Sequence, residues 1–317
     1  MNLSVSDEIE IKRAIMTGPT GAVGIAVINE LLANGIDVTA VCRSGSDRIK
    51  AIPHNKNVKI IECSLEEMCR LADLLSGQSF DVFYHFGWDG TYGEKREDLY
   101  LQNKNVIYAL DAVEMAKKLG CKVFVGAGSQ AEYGRVEGII TSHTPCNPTT
   151  GYGIAKLSAC FMTRKLCQSY GIRHEWCRII SLYGPYDKEH TMVMSGILKM
   201  LIGQHASYTK GEQNWDYIYS KDAAKAFYLV AKRGRDGVVY CLGSGETRKL
   251  KDYILAIRNT INPDIEVGIG ELEYYHNQVM NLQVDISDLE RDTGFQIQYT
   301  FEEGIKETIE WAKENYK

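Results

Sequence analysis

Two residues in this sequence have the types and spacing needed for proton transfer: Tyr152 and Lys156, in the stretch Gly-Tyr-Gly-Ile-Ala-Lys. On a helix, positions i and i+4 share a face, so the lysine ammonium can lie near the phenol and favour its phenolate form. A phenol tuned in this way can donate and accept a proton near neutral pH. The spacing therefore predicts a proton-transfer pair on one helix face.

A glycine-rich run upstream of this pair contains Gly18, Gly21 and Gly24 at three-residue intervals. The preceding residues, Arg13–Met16, predict a short buried strand, and Ala22–Ala33 have apolar residues at helical spacing. Glycines between a strand and a helix permit a tight turn, close approach of the backbone to a pyrophosphate, and close helix packing. The run therefore predicts a dinucleotide site, whose diphosphate-binding residues are Gly18, Thr20, Gly21, Ala22, Val23 and Gly24.

The residues after the second predicted strand, Asp37–Cys42, indicate which dinucleotide is bound. Arg43 and Ser44 follow this strand, and Arg48 comes shortly after. An acidic residue here would bind the ribose 2′-hydroxyl and repel a 2′-phosphate, whereas a guanidinium and a hydroxyl would bind that phosphate. The sequence thus favours NADP(H) over NAD(H) as cofactor, and the alternative is that Arg43 is an ordinary surface arginine.

The composition is that of a globular protein with a substantial core, since 44% of the 317 residues are hydrophobic. A formal charge of −5 provides no basic face for nucleic acid. No apolar run has the length of a membrane span, and the stretch Met1–Glu10 is polar and acidic, unlike a signal peptide. We therefore expect a cytoplasmic protein without nucleic-acid or membrane partners. The nine scattered cysteines show no spacing suited to zinc, so no metal site is expected.

Strand-like and helical segments alternate along the first part of the chain. They are Val58–Glu62, Leu65–Leu75, Asp81–Phe86, Asp98–Leu119, Lys122–Gly126, Tyr152–Tyr170 and His174–Ile180. Such alternation predicts an α/β fold with a Rossmann-type, doubly wound parallel sheet.

After about Tyr183 the alternation becomes irregular. Further predicted elements are a helix Thr191–Ile202, a short strand Trp215–Tyr219, a helix Asp222–Lys232 and a helix Phe301–Asn315. We expect residues 1–182 and 211–249 to form the dinucleotide-binding domain. Residues 183–210 and 250–317 would form a smaller α/β substrate-binding domain towards the C-terminus.

The chain also resembles the extended short-chain dehydrogenase/reductase family, which includes nucleotide-sugar epimerases, dehydratases and ketoreductases. The matching segments, in the family's order, are Thr17–Gly24, Tyr84–Trp88, Leu101–Val106, Gly128–Gly134, Tyr152–Lys156, Arg178–Pro185 and Trp215–Asp222. The resemblance covers nearly the whole chain. It implies a nucleotide-sugar substrate and a homodimer in which the helices Asp98–Leu119 and Tyr152–Tyr170 form a four-helix bundle.

The resemblance also assigns roles to individual residues. Ser129 matches the catalytic serine or threonine that orients the substrate oxygen, while Tyr152 transfers the proton and Lys156 lowers the phenol pKa and binds the nicotinamide ribose. Asn103 or Asn105 would hold a water that relays protons to Lys156. The other residues that it assigns to the cofactor are Phe86 and Gly87, and those that it assigns to the substrate are Ser129, Gln130, Ser181, His190 and Trp215.

Several positions depart from the family pattern and bear on the reaction. Gln130 and Ala131 stand where sugar dehydratases have the acid and base that eliminate water, and Glu132 lies one place further. Trp215 replaces an arginine that often grips the nucleotide diphosphate, Ser181 replaces a common asparagine, and Cys63 replaces an aspartate that often binds adenine.

The resemblance and these departures together favour an NADP(H)-dependent 4-ketoreductase acting on a nucleotide-linked deoxysugar. One alternative is an epimerase that retains NAD, with His190 as an extra acid or base. The other is a non-catalytic, NADP-sensing regulator with the same fold.

Overall fold

The structure, a computed structural model, describes residues 8–275 and 278–316. Residues 1–7 of the predicted polar stretch Met1–Glu10 therefore lie outside the described residues. The strands, in chain order, are β1 (Arg13–Thr17), β2 (Asp37–Cys42), β3 (Val58–Glu62), β4 (Val82–His85), β5 (Val123–Ser129), β6 (Arg173–Ile179), β7 (Leu182–Tyr183), β8 (Ala206–Tyr208), β9 (Asn214–Trp215), β10 (Ile218–Tyr219), β11 (Val239–Leu242), β12 (Arg248–Lys249), β13 (Val267–Ile269) and β14 (Asn281–Leu282).

The helices alternate with these strands. They are α1 (Ala22–Ala33), α2 (Leu71–Leu74), α3 (Leu99–Lys118), α4 (Gly151–Tyr170), α5 (Met192–Leu201), α6 (Ser220–Arg233), α7 (Leu250–Ile261), α8 (Ser287–Thr293) and α9 (Phe301–Asn315). Across residues 8–275 and 278–316, no helix combines the length and the apolar character needed to cross a lipid bilayer.

The central sheet has seven parallel strands in the order β11-β6-β5-β4-β1-β2-β3. The chain builds outward from β1 to β3 in one direction and then from β4 to β11 in the other. The strand order therefore reverses between β1 and β4, where Thr17 pairs with His85. In open sheets of this kind, ligands bind in the crevice at the carboxyl ends of the strands on either side of such a reversal.

Helices cover both faces of this sheet. On one face, α1 packs against α6, with Ile28 and Phe227 in a continuous apolar core. On the other face, α3 packs against α4, and Val113 lies in a core with Phe83 and Phe124 of the strands. The predicted Rossmann-type α/β fold is thus confirmed, and its two helical layers leave the carboxyl edge of the strands open for a ligand.

A third apolar core lies outside these two layers and joins α5, α7 and α9. Its buried residues include Ile197, Ile254 and Ile305. By contrast, α8 packs against α6, and its Leu289 belongs to the core on the α1 side of the sheet. The later part of the chain thus contributes both to this third core and to the core on the α1 side of the sheet. The division into domains therefore stays a prediction.

Two predicted elements differ from the structure. Leu65–Leu75 is not one helix: a 3₁₀ helix, Leu65–Arg70, with non-helical backbone angles at Glu67, is followed by α2. The predicted strand Trp215–Tyr219 is two short strands, β9 and β10, which pair in different sheets. Asp216 lies between them, and its buried carboxylate accepts hydrogen bonds from the backbone and the hydroxyl of Ser244.

Candidate active site

The turn between β1 and α1 has the shape of a diphosphate cradle. Gly18 adopts a left-handed φ of +67°, and a Cβ there would lie 2.6 Å from the backbone nitrogen of Gly87. A Cβ on Gly24 would lie 2.5 Å from the carbonyl oxygen of Gly18, so a side chain at either position would collide with backbone. A Cβ on Gly21 would meet only the carbonyl oxygen of Gly18, at 3.9 Å. Two of the three glycines thus close the turn, and the third keeps the ligand side open.

The first turn of α1 provides donors for an anion. Its N-cap residue, Gly21, supplies no side-chain cap, and the turn contains no acidic residue. Backbone N–H groups at a helix start lack partners within the helix, and the helix dipole favours negative charge there. The residues present therefore fit the diphosphate of a dinucleotide.

A groove runs from this turn along the carboxyl ends of β2 and β4. It is lined by residues that include Gly18–Thr20, Arg43, Ser46, Arg48, Cys63, Gly87, Trp88 and Asp89. Two of the residues predicted to bind a 2′-phosphate, Arg43 and Arg48, thus lie in the groove wall.

The third predicted phosphate ligand, Ser44, is otherwise engaged. Its hydroxyl donates a hydrogen bond of 2.5 Å to the carboxylate of Glu62, at the end of β3. The serine of this loop that lines the groove is Ser46, which was not predicted from the sequence. Since a serine four residues past the strand end carries no distinct sequence signal, only the path of the chain reveals it.

The predicted catalytic residues come together at the carboxyl end of β5. Ser129 ends β5, and Tyr152 and Lys156 occupy successive turns at the start of α4. The hydroxyl oxygen of Ser129 accepts a hydrogen bond of 3.2 Å from the backbone of Ala131, which leaves its O–H able to donate. This cap fixes the hydroxyl beside the phenol of Tyr152.

Lys156 is buried, and its ammonium is held by two groups. It donates a hydrogen bond of 2.7 Å to the carbonyl oxygen of Ala127 and lies 3.8 Å from the ring centroid of Trp88. Burial lowers the pKa of Lys156 to about 7, against the opposing effect of Glu132. Burial and the charge of Lys156 lower the pKa of His85 to about 3, so this histidine is neutral near pH 7.

The phenol of Tyr152 responds to a different cation from the one predicted. Burial raises the pKa of Tyr152, whereas hydrogen bonding with Ser129 and the charge of Arg96 lower it. The guanidinium carbon of Arg96 lies 4.7 Å from the phenol ring centroid, and the Lys156 nitrogen lies 5.8 Å away. Tyr152 and Lys156 share a helix face as predicted, but in this structure the ammonium of Lys156 is directed to Ala127 and Trp88.

Glu132, the carboxylate nearest to Ser129 in sequence, is fully buried and takes no part in the open site. It accepts hydrogen bonds from the backbone of Ser129 at 2.8 Å, from the indole of Trp176 at 3.0 Å and from the guanidinium of Arg178 at 2.6 Å. Its oxygens are therefore committed to the interior of the protein.

A separate pocket adjoins this cluster and shares no lining residue with the groove described above. Its lining includes Arg96, Gln130, Arg135, Thr149 and Thr150. Of these five residues, Gln130 is predicted from the sequence and the other four are not. Arg96 ends a short 3₁₀ helix, Gly93–Arg96, between β4 and α3, where no apolar spacing indicates the direction of a side chain.

The remaining predicted residues occupy separate places. The indole of Trp215 donates a hydrogen bond of 3.0 Å to the hydroxyl of Ser181, so these two predicted substrate residues form a pair. His190 lies in an exposed loop, stacked on Tyr92 with ring centroids 3.5 Å apart.

Two predicted cofactor residues contribute differently from expectation. The ring of Phe86 packs on Phe227 with centroids 4.8 Å apart, so only its backbone lines the glycine turn. Asn103 has an exposed side chain on α3, whereas Asn105 is buried and bonds both backbone groups of Asp89. Of the two asparagines left open, Asn105 faces the segment that leads into the site.

Comparison with known proteins agrees with this geometry. A trifunctional UDP-glucose 4,6-dehydratase/UDP-4-keto-6-deoxy-D-glucose 3,5-epimerase/UDP-4-keto-L-rhamnose-reductase of Arabidopsis thaliana is 25% identical over 96% of this chain, which spans 47% of that protein's length. A dTDP-glucose 4,6-dehydratase of Escherichia coli is 23% identical, with 96% of this chain and 94% of the relative aligned.

A solved structure with a similar fold is the UDP-N-acetylglucosamine 4-epimerase of Methanobrevibacter ruminantium, in complex with UDP-N-acetylmuramic acid. It superposes with a TM-score of 0.86 at 22% identity, covering 97% of this chain and 100% of that one. The family model for the NAD dependent epimerase/dehydratase family matches residues 14–243. This chain belongs to the NAD dependent epimerase/dehydratase family of nicotinamide-dinucleotide enzymes.

Proposed function

We propose that the protein is an oxidoreductase of nucleotide-linked sugars, and specifically an NADP(H)-dependent 4-ketoreductase of a deoxysugar. The observation that carries this proposal is the absence of a free carboxylate next to Ser129 within the described residues. Gln130 and Ala131 follow Ser129 in sequence, and Glu132 is bound to Trp176 and Arg178 in the interior. Elimination of water would need an acid and a base besides the phenol, whereas carbonyl reduction needs only one proton donor.

The residues of the chain have simple roles in this reaction. A bound nicotinamide dinucleotide supplies the hydride that adds to the carbonyl carbon. The hydroxyl of Ser129 donates a hydrogen bond to the carbonyl oxygen and so stabilises the negative charge that develops there. Tyr152 gives its proton to that oxygen. The ammonium of Lys156, which lies near Tyr152, contacts the ribose of the cofactor.

The preference for NADP(H) is supported by the two guanidinium groups in the groove wall. Arg43 and Arg48 line the groove beyond β2, where a 2′-phosphate of the adenosine ribose would lie. Charge-assisted hydrogen bonds from arginine are among the strongest contacts to phosphate. A reductase must exchange its oxidised cofactor for NADPH from the cellular pool at each turnover. A site that recognises the 2′-phosphate suits such a reaction.

An epimerase is the second candidate, and one contact favours it. The carboxylate of Glu62 accepts from Ser44 at 2.5 Å, which brings a negative charge to the end of β3 beside the same part of the groove. A carboxylate there would repel a 2′-phosphate and suit NAD, which an epimerase would retain through both hydride transfers. The solved relative described above is also named a 4-epimerase.

The experiment that separates these candidates starts from the purified protein. The nucleotide released on denaturation is identified, and nicotinamide absorbance is then followed with a panel of nucleotide 4-keto-6-deoxysugars and NADPH or NADH. If the protein is a reductase, denaturation should release little bound cofactor. Oxidation of NADPH should then require Tyr152. Retained NAD together with interconversion of nucleotide sugars without added cofactor would replace the reductase by the epimerase. Cofactor binding without any turnover of either kind would favour the regulator instead.

A further inference from the structure

Tyr152 lies between two side chains contributed by the segment that joins β4 to α3. The ring of Trp88 lies nearly perpendicular to the phenol, at 85°, with ring centroids 6.1 Å apart, and the guanidinium carbon of Arg96 lies 4.7 Å from the phenol centroid. The ammonium of Lys156 is more distant, at 5.8 Å, and is hydrogen-bonded to Ala127. The cation that lies closest to the phenol ring is therefore Arg96.

The segment that carries Arg96 is held in place by the buried side-chain amides of two α3 residues, Gln102 and Asn105. The amide nitrogen of Gln102 donates to the carbonyl oxygens of Gly90 at 2.8 Å and Lys95 at 2.9 Å. Asn105 accepts from the backbone nitrogen of Asp89 and donates to its carbonyl oxygen, both at 2.9 Å. Since Gln102 and Asn105 are each 1% exposed, these bonds are shielded from water and define the path of the segment up to Arg96.

The same segment is also fastened to the start of α4. The carboxylate of Glu97 accepts a hydrogen bond of 3.0 Å from the backbone of Gly151, the residue before Tyr152. A Cβ on Gly151 would lie 3.0 Å from the carbonyl oxygen of Arg96, so the absence of a side chain there permits the close approach. The contact between Glu97 and Gly151 thus joins the residues next to Arg96 and Tyr152, and so keeps the backbone of these two residues close together.

Three charged groups and one hydroxyl lie around Tyr152, on different elements. Ser129 of β5 hydrogen-bonds to the phenol, and Glu132, which opposes ionisation, is itself paired with Arg178. Lys156, on the same helix as Tyr152, has a pKa lowered to about 7 by burial, so its charge is incomplete at neutral pH. A guanidinium stays protonated throughout this range, so Arg96 is the permanent cation of the group.

We propose that Arg96 is a positioning residue for Tyr152, whose fixed guanidinium charge favours the phenolate and thereby makes the phenol a better proton donor. An opposite charge within about 4–6 Å favours the charged form of a group. The proposal rests on the proposed reaction for its catalytic meaning, but the effect on the phenol exists without any substrate. In this site the arginine acts through the tyrosine, and the proposed role of the lysine is to contact the cofactor.

The test measures ionisation of the phenol directly. 3-Fluorotyrosine is placed at position 152 alone, and its ¹⁹F chemical shift is followed against pH in the full-length protein. Arg96→Met should raise the titration midpoint by about one pH unit, a tenfold change in the ionisation constant. Arg96→Lys keeps a positive charge and should recover a large part of that shift, which a purely structural role of Arg96 would not explain.

The matched control is Arg135→Met, which removes an exposed arginine from the same pocket. It should leave the midpoint in place. The inference is overturned if Arg96→Met does not move the midpoint, or if Arg135→Met moves it as far. It is equally overturned if Arg96→Lys behaves as Arg96→Met does, because the charge would then be irrelevant.

Turnover provides a separate readout. If the proposed reduction is correct, the pH dependence of kcat moves upward in Arg96→Met, while cofactor affinity stays unchanged. A shifted ¹⁹F midpoint in a protein that reduces no 4-ketosugar would support the role of Arg96 and contradict the proposed function. An unshifted midpoint in an active reductase would do the reverse.

Discussion

The guanidinium of Arg178 donates a hydrogen bond of 2.6 Å to the carboxylate of Glu132, and both side chains are almost fully buried. The same carboxylate binds the backbone of Ser129, the residue that ends β5 at the candidate active site. This ion pair therefore connects the interior of the sheet to the position of the Ser129 hydroxyl, which is proposed to be catalytic. It also explains why a glutamate three residues after Ser129 is unavailable as a base.

The first prediction concerns stability. Glu132→Ala should lower the free energy of unfolding by about 3–5 kcal/mol, because it leaves the charge of Arg178 buried without a partner. Chemical denaturation monitored by circular dichroism measures the change. Glu137→Ala, which alters an exposed carboxylate nearby, is the control and should have little effect. Equal stability of the two variants would show that the buried pair contributes nothing.

The sequence predicts the fold and the glycine turn after β1 well because both depend on local patterns. The alternation of strands and helices follows from hydrophobic periodicity. Gly18 and Gly24 are recognisable because a side chain at either position would collide with nearby backbone. The Tyr152–Lys156 pair is likewise a property of one helix.

The surroundings of that pair could not be predicted, because they depend on contacts between distant parts of the chain. Arg96 reaches Tyr152 from a single 3₁₀ turn held by Gln102, and the apolar periodicity of longer helices says nothing about its path. The direction of Lys156 towards Ala127 follows from the packing of α4 on β5. In the same way, Asp216 divides a predicted strand because its carboxylate binds Ser244, far along the chain.

The second prediction concerns the proton donor. Tyr152→Phe keeps the ring and its contact with Arg96 while removing the hydroxyl, so turnover should fall about a hundredfold to ten-thousandfold. Cofactor binding, measured by calorimetry, should be nearly normal. Ser129→Ala should also reduce turnover with little effect on the cofactor. A Tyr152→Phe enzyme with undiminished turnover would remove the phenol from the mechanism.

The third prediction concerns the 2′-phosphate. Arg43→Asp should weaken NADPH binding at least tenfold while leaving NADH binding nearly unchanged, because a charge-assisted hydrogen bond contributes about 1.5–3 kcal/mol. Glu62→Gln is the complementary variant. It removes the carboxylate that accepts from Ser44 and should strengthen NADPH binding alone. Equal affinities for both cofactors in the unaltered protein would contradict the proposed preference.

The fourth prediction concerns pH. Burial lowers the pKa of Lys156 to about 7, so in the free protein its ammonium is present below this pH and lost above it. If the ammonium contacts the cofactor, affinity for NAD should fall as pH rises through 7, by at most about tenfold per unit for one linked proton. NAD is the suitable probe, since it lacks a phosphate group that titrates near pH 6. Lys156→Met should bind more weakly and with a flatter pH profile, and an unchanged slope in this variant would assign the titration to another group.

The last prediction concerns assembly into a homodimer, which we propose from the outer faces of α3 and α4. Tyr100 and Ile107 on α3 are 88% and 49% exposed, and Ile154 and Phe161 on α4 are 49% and 54% exposed. Each pair is seven residues apart and so lies on one helix face, which gives an apolar surface that a second copy could cover in a symmetric contact.

Sedimentation velocity at micromolar concentration should therefore show a dimer for the unaltered chain. Ile107→Glu combined with Phe161→Glu should yield monomers, because burying two carboxylates in that contact is costly. Ile202→Glu changes an apolar residue that is 67% exposed at the end of α5 and should leave the dimer intact. A monomeric unaltered protein would mean that these helices do not pair, and a dimer that survives the double substitution would place the contact on another face.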